Sequence, residues 1–379
     1  MPRDINERLE NLHKRRRGTD AKSYGRLNDD ARREVIAKSL LTETWQKRAT
    51  AKPHTRYALG AMQAVSEEYT RVSVETAERV GNQLKSRLAI PLDFRLQGSV
   101  PLDIHIRGVS DVDLLTLDTS IVTYSTAGLW SQAGLYNSPT PRTSLEVLFN
   151  LRVEAEKALK LAYPAAAVDC SGGKCIAISG GSLPRPVDVV PSHWWDTIEY
   201  QASARQADRG VKILDKKVPS VLENQPFLHI DRVHRRDASV FGGLKKAIRL
   251  TKNVKNDAAN ENTAAKLPSF DIAALLYHAD QNALKVGYAY ELAILRETQR
   301  FLDWCYQNPS ASKLLRTPDG SRTILDSEDK IAGLLTISCE MDKLATEVAK
   351  EQLTGVHIGD PTWTQIDTVL RNTLVPAAA

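Results

Sequence analysis

The sequence predicts a protein of the α+β class, with a helical N-terminal arm, a central strand-and-helix layer and a helical C-terminal half. Short apolar segments separated by turns run through residues 90–195, as in a layered fold. Apolar residues recur at helical spacing on both sides of that layer. We therefore predict three parts with these bounds: 1–56, 57–205 and 206–379.

The arm is predicted to contain two short helices, followed by a longer one. Residues 4–17 form a polar, potentially helical segment that ends in a basic run. Asn28-Asp29-Asp30 offers N-cap chemistry for a second helix that continues to about Arg48, and Pro53-His54 interrupts it. Residues 57–88 then have the spacing of one long helix, which Pro91 ends.

The central layer alternates strands, turns and one long helix. Gly98-Ser99 is a turn, and Val100-Pro101-Leu102 has the composition of a helix start, because proline suits the first helical turn. Pro191 is expected to end the last strand of the layer. The predicted strands and helix are residues 93–97, 111–117, 143–161 (the helix), 165–169 and 175–179 (a hairpin across Gly172-Gly173), and 187–190.

The C-terminal half is predicted to be mostly helical from residue 206. Prolines and the turn Pro318-Asp319-Gly320 separate its helices. The candidate helices are residues 237–256, 269–281, 286–305 and 327–353.

Charge and composition exclude several classes of protein. Residues 1–50 contain 13 basic and 8 acidic side chains, a net of +5 and hence the whole formal charge of the chain, +5. Such an arm can attract nucleic acid, but a solvated helical extension is the simpler interpretation.

Neither a membrane span nor a secretory apolar segment is present, so we expect a cytoplasmic protein. Four cysteines fit a reducing compartment, and we interpret Cys170 and Cys175 as ordinary thiols.

Three carboxylates indicate a metal-dependent site. Asp111 and Asp113 are two residues apart on a predicted strand, so both point to one face. Asp188 lies inside another apolar strand, where an unpaired carboxylate is unfavourable. If the two strands are neighbours, three carboxylates meet and can hold two divalent cations, as in phosphoryl or nucleotidyl transfer. A capped turn or a strand end in water is the structural alternative.

These residues resemble a known family. Gly98-Ser99, Asp111-x-Asp113 and Asp188 are similar to the signature of polymerase-β-like nucleotidyltransferases. More narrowly, Gln97-Gly98-Ser99, Ser110 to Leu114 and Val187 to Pro191 resemble the bacterial relatives of cyclic GMP-AMP synthase, the CD-NTases. The resemblance covers about residues 57–355 and implies a bilobed fold, with a mixed-sheet nucleotidyltransferase core beside a helical lobe.

The resemblance also implies an activity and a set of roles. The enzyme would condense NTPs into a cyclic di- or trinucleotide, release pyrophosphate and serve anti-phage signalling. Asp111, Asp113 and Asp188 would hold two Mg²⁺ ions, or Mn²⁺, with Asp188 on the side of the attacking hydroxyl. Gln97, Gly98 and Ser99 would bind the donor phosphates together with Lys252 and Ser269, and Phe270 would stack on a base.

The resemblance further implies partners: the NTP substrates (ATP and at least one second NTP), an effector that binds the product, and a regulatory protein. The C-terminal tail, Val375 to Ala379, is a candidate handle for that regulator, although frayed termini are the default expectation. The chain lacks the clustered His and Cys of the zinc insertion in the animal DNA sensor, so activation by DNA is not expected.

Two alternatives use the same residues differently. A template-independent transferase could act on RNA ends or a protein hydroxyl, with the basic run Lys14 to Arg17 as its main support. A helical nucleic-acid-binding protein without enzymatic activity would have structural carboxylates.

One predicted helix face carries Lys245, Arg249, Lys252 and Lys255, and it either meets a triphosphate or is solvated. Trp194-Trp195 is expected to pack in the protein interior rather than to stack on a base, and His105 is expected to have a surface or packing role rather than to contact substrate.

Overall fold

A computed structural model describes residues 4–17, 32–33, 43–108, 110–353 and 359–377. The predicted N-cap at Asn28-Asp29-Asp30 and most of the helix after it lie outside these residues. The prediction of an α+β protein is confirmed: a seven-stranded mixed sheet with its own helices adjoins a helical lobe. None of the described helices combines the length and the apolarity that crossing a membrane requires.

The sheet contains seven strands within the described residues. They are β1 Leu92–Gln97, β2 Val112–Tyr124, β3 Ala167–Asp169, β4 Ile176–Gly180, β5 Leu183–Asp196, β6 Gly210–Asp215 and β7 Ser220–Asn224. Their order is β1-β2-β5-β4-β3, with β6 paired to β5 and β7 to β6. Among the strands of the described residues, only β2 and β5 pair in parallel.

The helices surround this sheet and form the second lobe. They are α1 Ile5–Arg17, α2 Pro53–Met62, α3 Glu67–Arg87, α4 Leu129–Gln132, α5 Ser144–Ala162, α6 Ile198–Ser203, α7 Pro226–Ser239, α8 Gly243–Asn256, α9 Glu261–Ala265, α10 Ser269–Leu276, α11 Gln281–Val286, α12 Leu292–Gln307, α13 Pro309–Ser312, α14 Glu328–Gln352 and α15 Trp363–Asn372. Thr44–Lys47 and Gln206–Asp208 are 3₁₀ helices.

Several predicted elements differ in the structure. Residues 57–88 are not one helix, because the chain breaks after α2 and Ser66 caps α3 by accepting from the Tyr69 N–H. Pro53 begins α2 rather than interrupting a helix, since proline needs no N–H in the first turn. The helix predicted at Val100 is also wrong, because residues 98–103 form turns in which Asp103 has a positive φ of 54°.

Pro191 does not end its strand. β5 pairs with β4 as far as Val189 and with β6 from Ser192. The proline lies between these two partners, where its missing N–H breaks no ladder on that side. The prediction of helix from residue 206 is likewise wrong over 210–224, because β6 and β7 extend the sheet there. The three domain bounds themselves stay a prediction.

Two hydrophobic cores position the site. Val112 and Leu114 of β2 pack with α3 and α5 on one face of the sheet. The next residues in alternation, Leu115 and Leu117, pack on the opposite face with Val190 and Trp194. Trp194 is therefore a core residue, as predicted.

The helical lobe also contains the described part of the N-terminal arm, because α1 and α2 pack in its core. For these residues the prediction of a solvated arm is wrong. Arg8 forms a buried ion pair with Glu340, and Arg15 forms another with Asp257. At the other end of the chain, Arg48 donates to the carbonyls of Val375 and Pro376, so the tail is held as far as Pro376.

Candidate functional site

A cleft of about 360 Å³ lies between the sheet and the helical lobe. It brings together every residue that the sequence analysis assigned to the site, from both lobes. The residues in question are Gln97, Gly98, Ser99, Asp111, Asp113, Asp188, Lys252, Ser269 and Phe270. Asn224, His229 and Asp319 also line this cleft, although no sequence motif predicted them there.

The strand pairing sets the positions of the carboxylates. Asp113 of β2 and Asp188 of β5 lie opposite each other on neighbouring parallel strands. Asp111 lies just before β2 and also lines the cleft. Alternation along β2 turns Val112 and Leu114 into the core and Asp113 to the other face. The expectation that the two strands are neighbours is confirmed.

Electrostatics disfavour three ionised carboxylates here. Burial and the Asp188 carboxylate raise the pKa of Asp111 to about 6. Burial, Asp188 and Asp111 together raise the pKa of Asp113 to about 7. The pKa of Asp188 is also raised by burial, although a hydrogen bond from Cys175 opposes the rise. A bound cation would relieve both the repulsion and the loss of solvation.

The donor set fits a hard divalent cation, because it consists of carboxylate oxygens in a partly buried cleft. The side chains are not drawn together into a coordination group, however. Within the described ranges, no three His, Cys, Asp or Glu side chains converge closely enough to hold a metal ion. The metal assignment of Asp111, Asp113 and Asp188 therefore stays a prediction.

The turn after β1 is shaped around one of these carboxylates. Gly98 has a φ of +74°, which favours glycine. A Cβ atom at this position would lie 2.1 Å from Oδ2 of Asp113. Gln97 pairs with Asp113 across the strands, and its Oε1 accepts from Asn224 Nδ2 at 3.4 Å. The sequence Gln97-Gly98-Ser99 thus brings a backbone turn against the carboxylate.

Lys252 enters the cleft from α8 and is only 2 % exposed. Its Nζ donates to the Ile104 carbonyl at 2.7 Å, and Ser110 Oγ lies 3.4 Å away. Burial and the nearby Lys255 lower the pKa of Lys252 to about 7, although Asp113 opposes this. An anionic ligand in the cleft would favour the charged form of this amine.

The other cations on the α8 face serve the structure. Arg249 donates to the carbonyls of Met62 and Asp103, and Lys255 donates to the Leu267 carbonyl. The solvated-face alternative is therefore wrong for Arg249 and Lys252, which are both buried.

Ser269 and Phe270 begin α10, which also belongs to the helical lobe, and both line the cleft. Ser269 is exposed, and the first helical hydrogen bond at this end runs from the Ile272 N–H to the Pro268 carbonyl. The earlier N–H groups can therefore face an anion, which the helix dipole also favours. Phe270 is 42 % exposed, so it is not buried as a core anchor would be.

Two further predictions can be compared with the structure. His105 is buried and stacks on Tyr69, in agreement with a packing role. Cys175 is a free thiol whose pKa is raised to about 12 by burial and by Asp188. Its contact with Asp188 was missed, because no sequence pattern links a hairpin cysteine to a carboxylate on the next strand.

Comparisons with known proteins agree with the geometry. Residues 231–333 match the cGAS/DncV-like nucleotidyltransferase C-terminal helical domain. The cyclic dinucleotide synthase CdnE of Yersinia aleksiciae is 46 % identical over 83 % of this chain and 82 % of the relative. A c-di-GMP synthase of Lachnospiraceae bacterium (strain RUG226) is 32 % identical over 59 % of this chain and 68 % of the relative.

A solved structure is also similar over most of its length. The STING-associated CdnE c-di-GMP synthase from Capnocytophaga granulosa is 26 % identical. The match covers 90 % of this chain and 97 % of that chain, with a TM-score of 0.68. The likeness therefore includes both lobes and the cleft between them.

Proposed function

The chain belongs to the cGAS/DncV-like nucleotidyltransferases, and from this premise we propose that it is a metal-dependent synthase of a cyclic dinucleotide. A ribose hydroxyl of one NTP would attack the α-phosphorus of another, with loss of the hydroxyl proton. The new phosphorus–oxygen bond replaces the bond to the β-phosphate, and pyrophosphate leaves. A second reaction of the same kind closes the ring and releases a second pyrophosphate.

One observation carries the proposal. Asp113 and Asp188 lie opposite each other on paired strands in the cleft, and the turn at Gly98 packs directly against the Asp113 carboxylate. Asp111, Asp113 and Asp188 would hold two Mg²⁺ or Mn²⁺ ions. Bound there, the ions would neutralise phosphate charge and lower the pKa of the attacking hydroxyl. The raised pKa values of Asp111 and Asp113 support this, because they mark a site that is short of positive charge.

The remaining cleft residues would position the donor nucleotide. The backbone N–H groups of Gly98 and Ser99 would bind the phosphates from the sheet lobe. Lys252 and the N-terminus of α10 at Ser269 would bind them from the helical lobe. Holding both reactants in one geometry accounts for much of the catalysis in reactions of this type. Gln97 would support the turn, and Phe270 would contact a base.

The names of the relatives support a signalling role. The related solved structure is described as STING-associated. We therefore propose that the product is a second messenger in anti-phage defence, recognised by an effector protein in the cytoplasm, where NTPs are available. A regulatory protein partner remains part of this proposal.

The test is to incubate the pure protein with all four NTPs and Mg²⁺ and to identify products by mass. A cyclic product with two pyrophosphates per ring is expected, and EDTA should abolish it. Asp188→Asn should remove turnover while donor binding remains, whereas Asp169→Asn, outside the cleft, should behave as wild type. Addition of nucleotides to RNA ends or to a protein, with no cyclic product, would contradict the proposal.

The RNA-end alternative loses its main support in the structure. Arg15 and Arg16 of the basic run form ion pairs with Asp257 and Glu43 of the same chain. Their charge is therefore compensated within the folded protein. The alternative without enzymatic activity is wrong, since the chain is a nucleotidyltransferase.

A further inference from the structure

The Asp188 carboxylate is in contact with a thiol. The S–H group of Cys175 donates a hydrogen bond to Asp188 from the neighbouring strand of the hairpin. Within the described residues, no other side chain donates to this carboxylate, and no cation forms an ion pair with it. The orientation of Asp188 therefore depends on a residue to which the proposed reaction gives no role.

The sheet places the thiol and the carboxylate on the same face. Ala177 of β4 pairs with Asp188 of β5, and Cys175 lies two residues before Ala177, so alternation turns both polar groups to one side. The hydrophobic contacts agree, because Cys175 packs against the core on this face, whereas Val187 and Val189 pack on the other. Side chains at such diagonal positions of an antiparallel pair are near neighbours.

The turn before Cys175 is held in place by α5. Arg152 is fully buried, and its Nη2 donates to the carbonyls of Cys170 and Gly172 at 3.2 and 3.0 Å. A backbone hydrogen bond of 2.9 Å from the residue after β6 holds the same turn. Because these contacts fix the backbone, the thiol meets Asp188 from a defined position.

We propose that Cys175 is a positioning residue, whose thiol holds one oxygen of the Asp188 carboxylate and leaves the other free for the bound cation. The inference rests on the proposed function and adds a residue to it. Cys175 is not among the described residues that line the cleft, so it acts through Asp188 and not on the nucleotide. On the opposing strand the turn at Gly98 packs against Asp113, so each carboxylate is fixed by a different neighbour.

A carboxylate with a fixed orientation binds a cation more tightly than one that rotates, because it loses less freedom on binding. A thiol suits this role, since an ordinary cysteine keeps its proton at neutral pH and is a weak donor. Groups that hydrogen-bond to a metal ligand typically contribute about ten- to a hundred-fold to metal affinity or activity. For a weak S–H donor we expect an effect near the lower end of this range.

The first test measures Mn²⁺ binding by electron paramagnetic resonance, with α,β-methylene analogues of ATP and GTP present. Cys175→Ala removes the donor and should weaken Mn²⁺ binding about ten-fold. Cys175→Ser keeps a donor of similar size and should recover most of this loss. Cys170→Ala is the matched control and should bind Mn²⁺ as wild type does, because Cys170 is a partly buried thiol of the same turn that packs on the opposite face.

The second test observes the contact itself in the metal-free protein. The infrared difference between wild type and Cys175→Ala assigns the S–H stretching band of this thiol. A hydrogen bond to a carboxylate lowers the stretching frequency, so the band should rise when Asp188→Ala removes the acceptor. If Cys175→Ala does not fold, the S–H bands of wild type and Asp188→Ala still decide. Identical bands in these two proteins overturn the proposal.

A packing role makes different predictions. Packing would lower the melting temperatures of Cys175→Ala and Cys175→Ser and leave their Mn²⁺ affinities equal, which would overturn the proposal. Positioning predicts that Cys175→Ala lowers kcat about ten-fold and leaves the KM for NTPs within about two-fold of wild type. The serine variant should then recover most of the lost kcat.

The two proposals fail in different ways. A cyclic product together with an S–H band that ignores Asp188→Ala overturns the positioning role and leaves the synthase proposal standing. A band that shifts and an Mn²⁺ affinity that depends on the donor, without product from any NTP, overturn the synthase proposal and support the contact between Cys175 and Asp188.

Discussion

Gly98 and Asp113 are so close that any side chain at position 98 would displace the carboxylate: an added Cβ atom would lie 2.1 Å from Asp113 Oδ2. The glycine therefore has two requirements to meet, the positive φ of +74° and the space for the carboxylate. The turn and the candidate metal ligand form one structural unit, which makes it possible to disturb the site without removing a charged group.

Gly98→Ala should reduce turnover by orders of magnitude and lower the melting temperature. The positive φ alone costs about 1–2 kcal/mol for an alanine. Gly134→Ala is a matched control, since Gly134 has a similar φ of +68° but nothing within 4 Å of an added Cβ. Equal loss of turnover in both variants would show that backbone strain, and not the position of Asp113, is responsible.

Asp113→Asn should abolish turnover but stabilise the metal-free protein at neutral and alkaline pH. The pKa of Asp113 is raised to about 7, above its usual value, so the folded state binds the proton more tightly than the unfolded state. Wild-type stability should therefore fall as the pH rises from about 4 to about 7. Melting temperatures in EDTA across this range should show a shallower fall for Asp113→Asn; an unchanged slope would contradict the prediction.

Lys252→Ala should raise the KM for NTPs about ten- to a hundred-fold, because one charged contact to phosphate is worth roughly 1.5–3 kcal/mol. Lys255→Ala is the control on the same helix, since Lys255 donates to the Leu267 carbonyl and does not line the cleft. Lys252 also holds the Ile104 carbonyl, so melting temperatures are needed for both variants. A KM within two-fold of wild type would remove Lys252 from the nucleotide site.

The carboxylate site could be predicted from the sequence because its signal is local. An Asp-x-Asp pair at the start of an apolar strand, and a third aspartate inside another, can be recognised in the sequence because charged residues are unusual in apolar strands. Gly98-Ser99 is conspicuous for a similar reason, since few other residues tolerate a positive φ.

The features that were missed depend on contacts between distant parts of the chain. Arg15 looks solvated in the sequence because its partner Asp257, the C-cap of α8, lies in the other half of the chain. His229 and Asp319 carry no motif, and the Pro318-Asp319-Gly320 turn has the composition of a simple separator. Long-range pairing of this kind is not encoded in periodicity or spacing, so only the fold reveals it.

Arg15→Ala should destabilise the protein strongly. The Arg15 guanidinium donates to both oxygens of Asp257, at 2.7 and 2.6 Å, and the Tyr57 hydroxyl donates to the same carboxylate at 2.7 Å. Removing one partner of a buried pair costs about 3–5 kcal/mol, because the other charge is left uncompensated. Lys14→Ala, whose ion pair with Glu10 is exposed, should change the denaturation midpoint little. Similar midpoints for both variants would show that the arm is not part of the core.

Phe270→Ala should raise the KM for nucleotides with little loss of stability. The ring is 42 % exposed, so truncation should cost less than the 3–5 kcal/mol typical of a buried phenylalanine. Stacking on a base contributes about 1–3 kcal/mol, which corresponds to a KM increase of roughly five- to a hundred-fold. Phe270→Tyr keeps the aromatic face and should be nearly silent. Melting temperature and KM measured on the same preparation decide the role: a large loss of stability with an unchanged KM in the folded fraction would make Phe270 a packing residue.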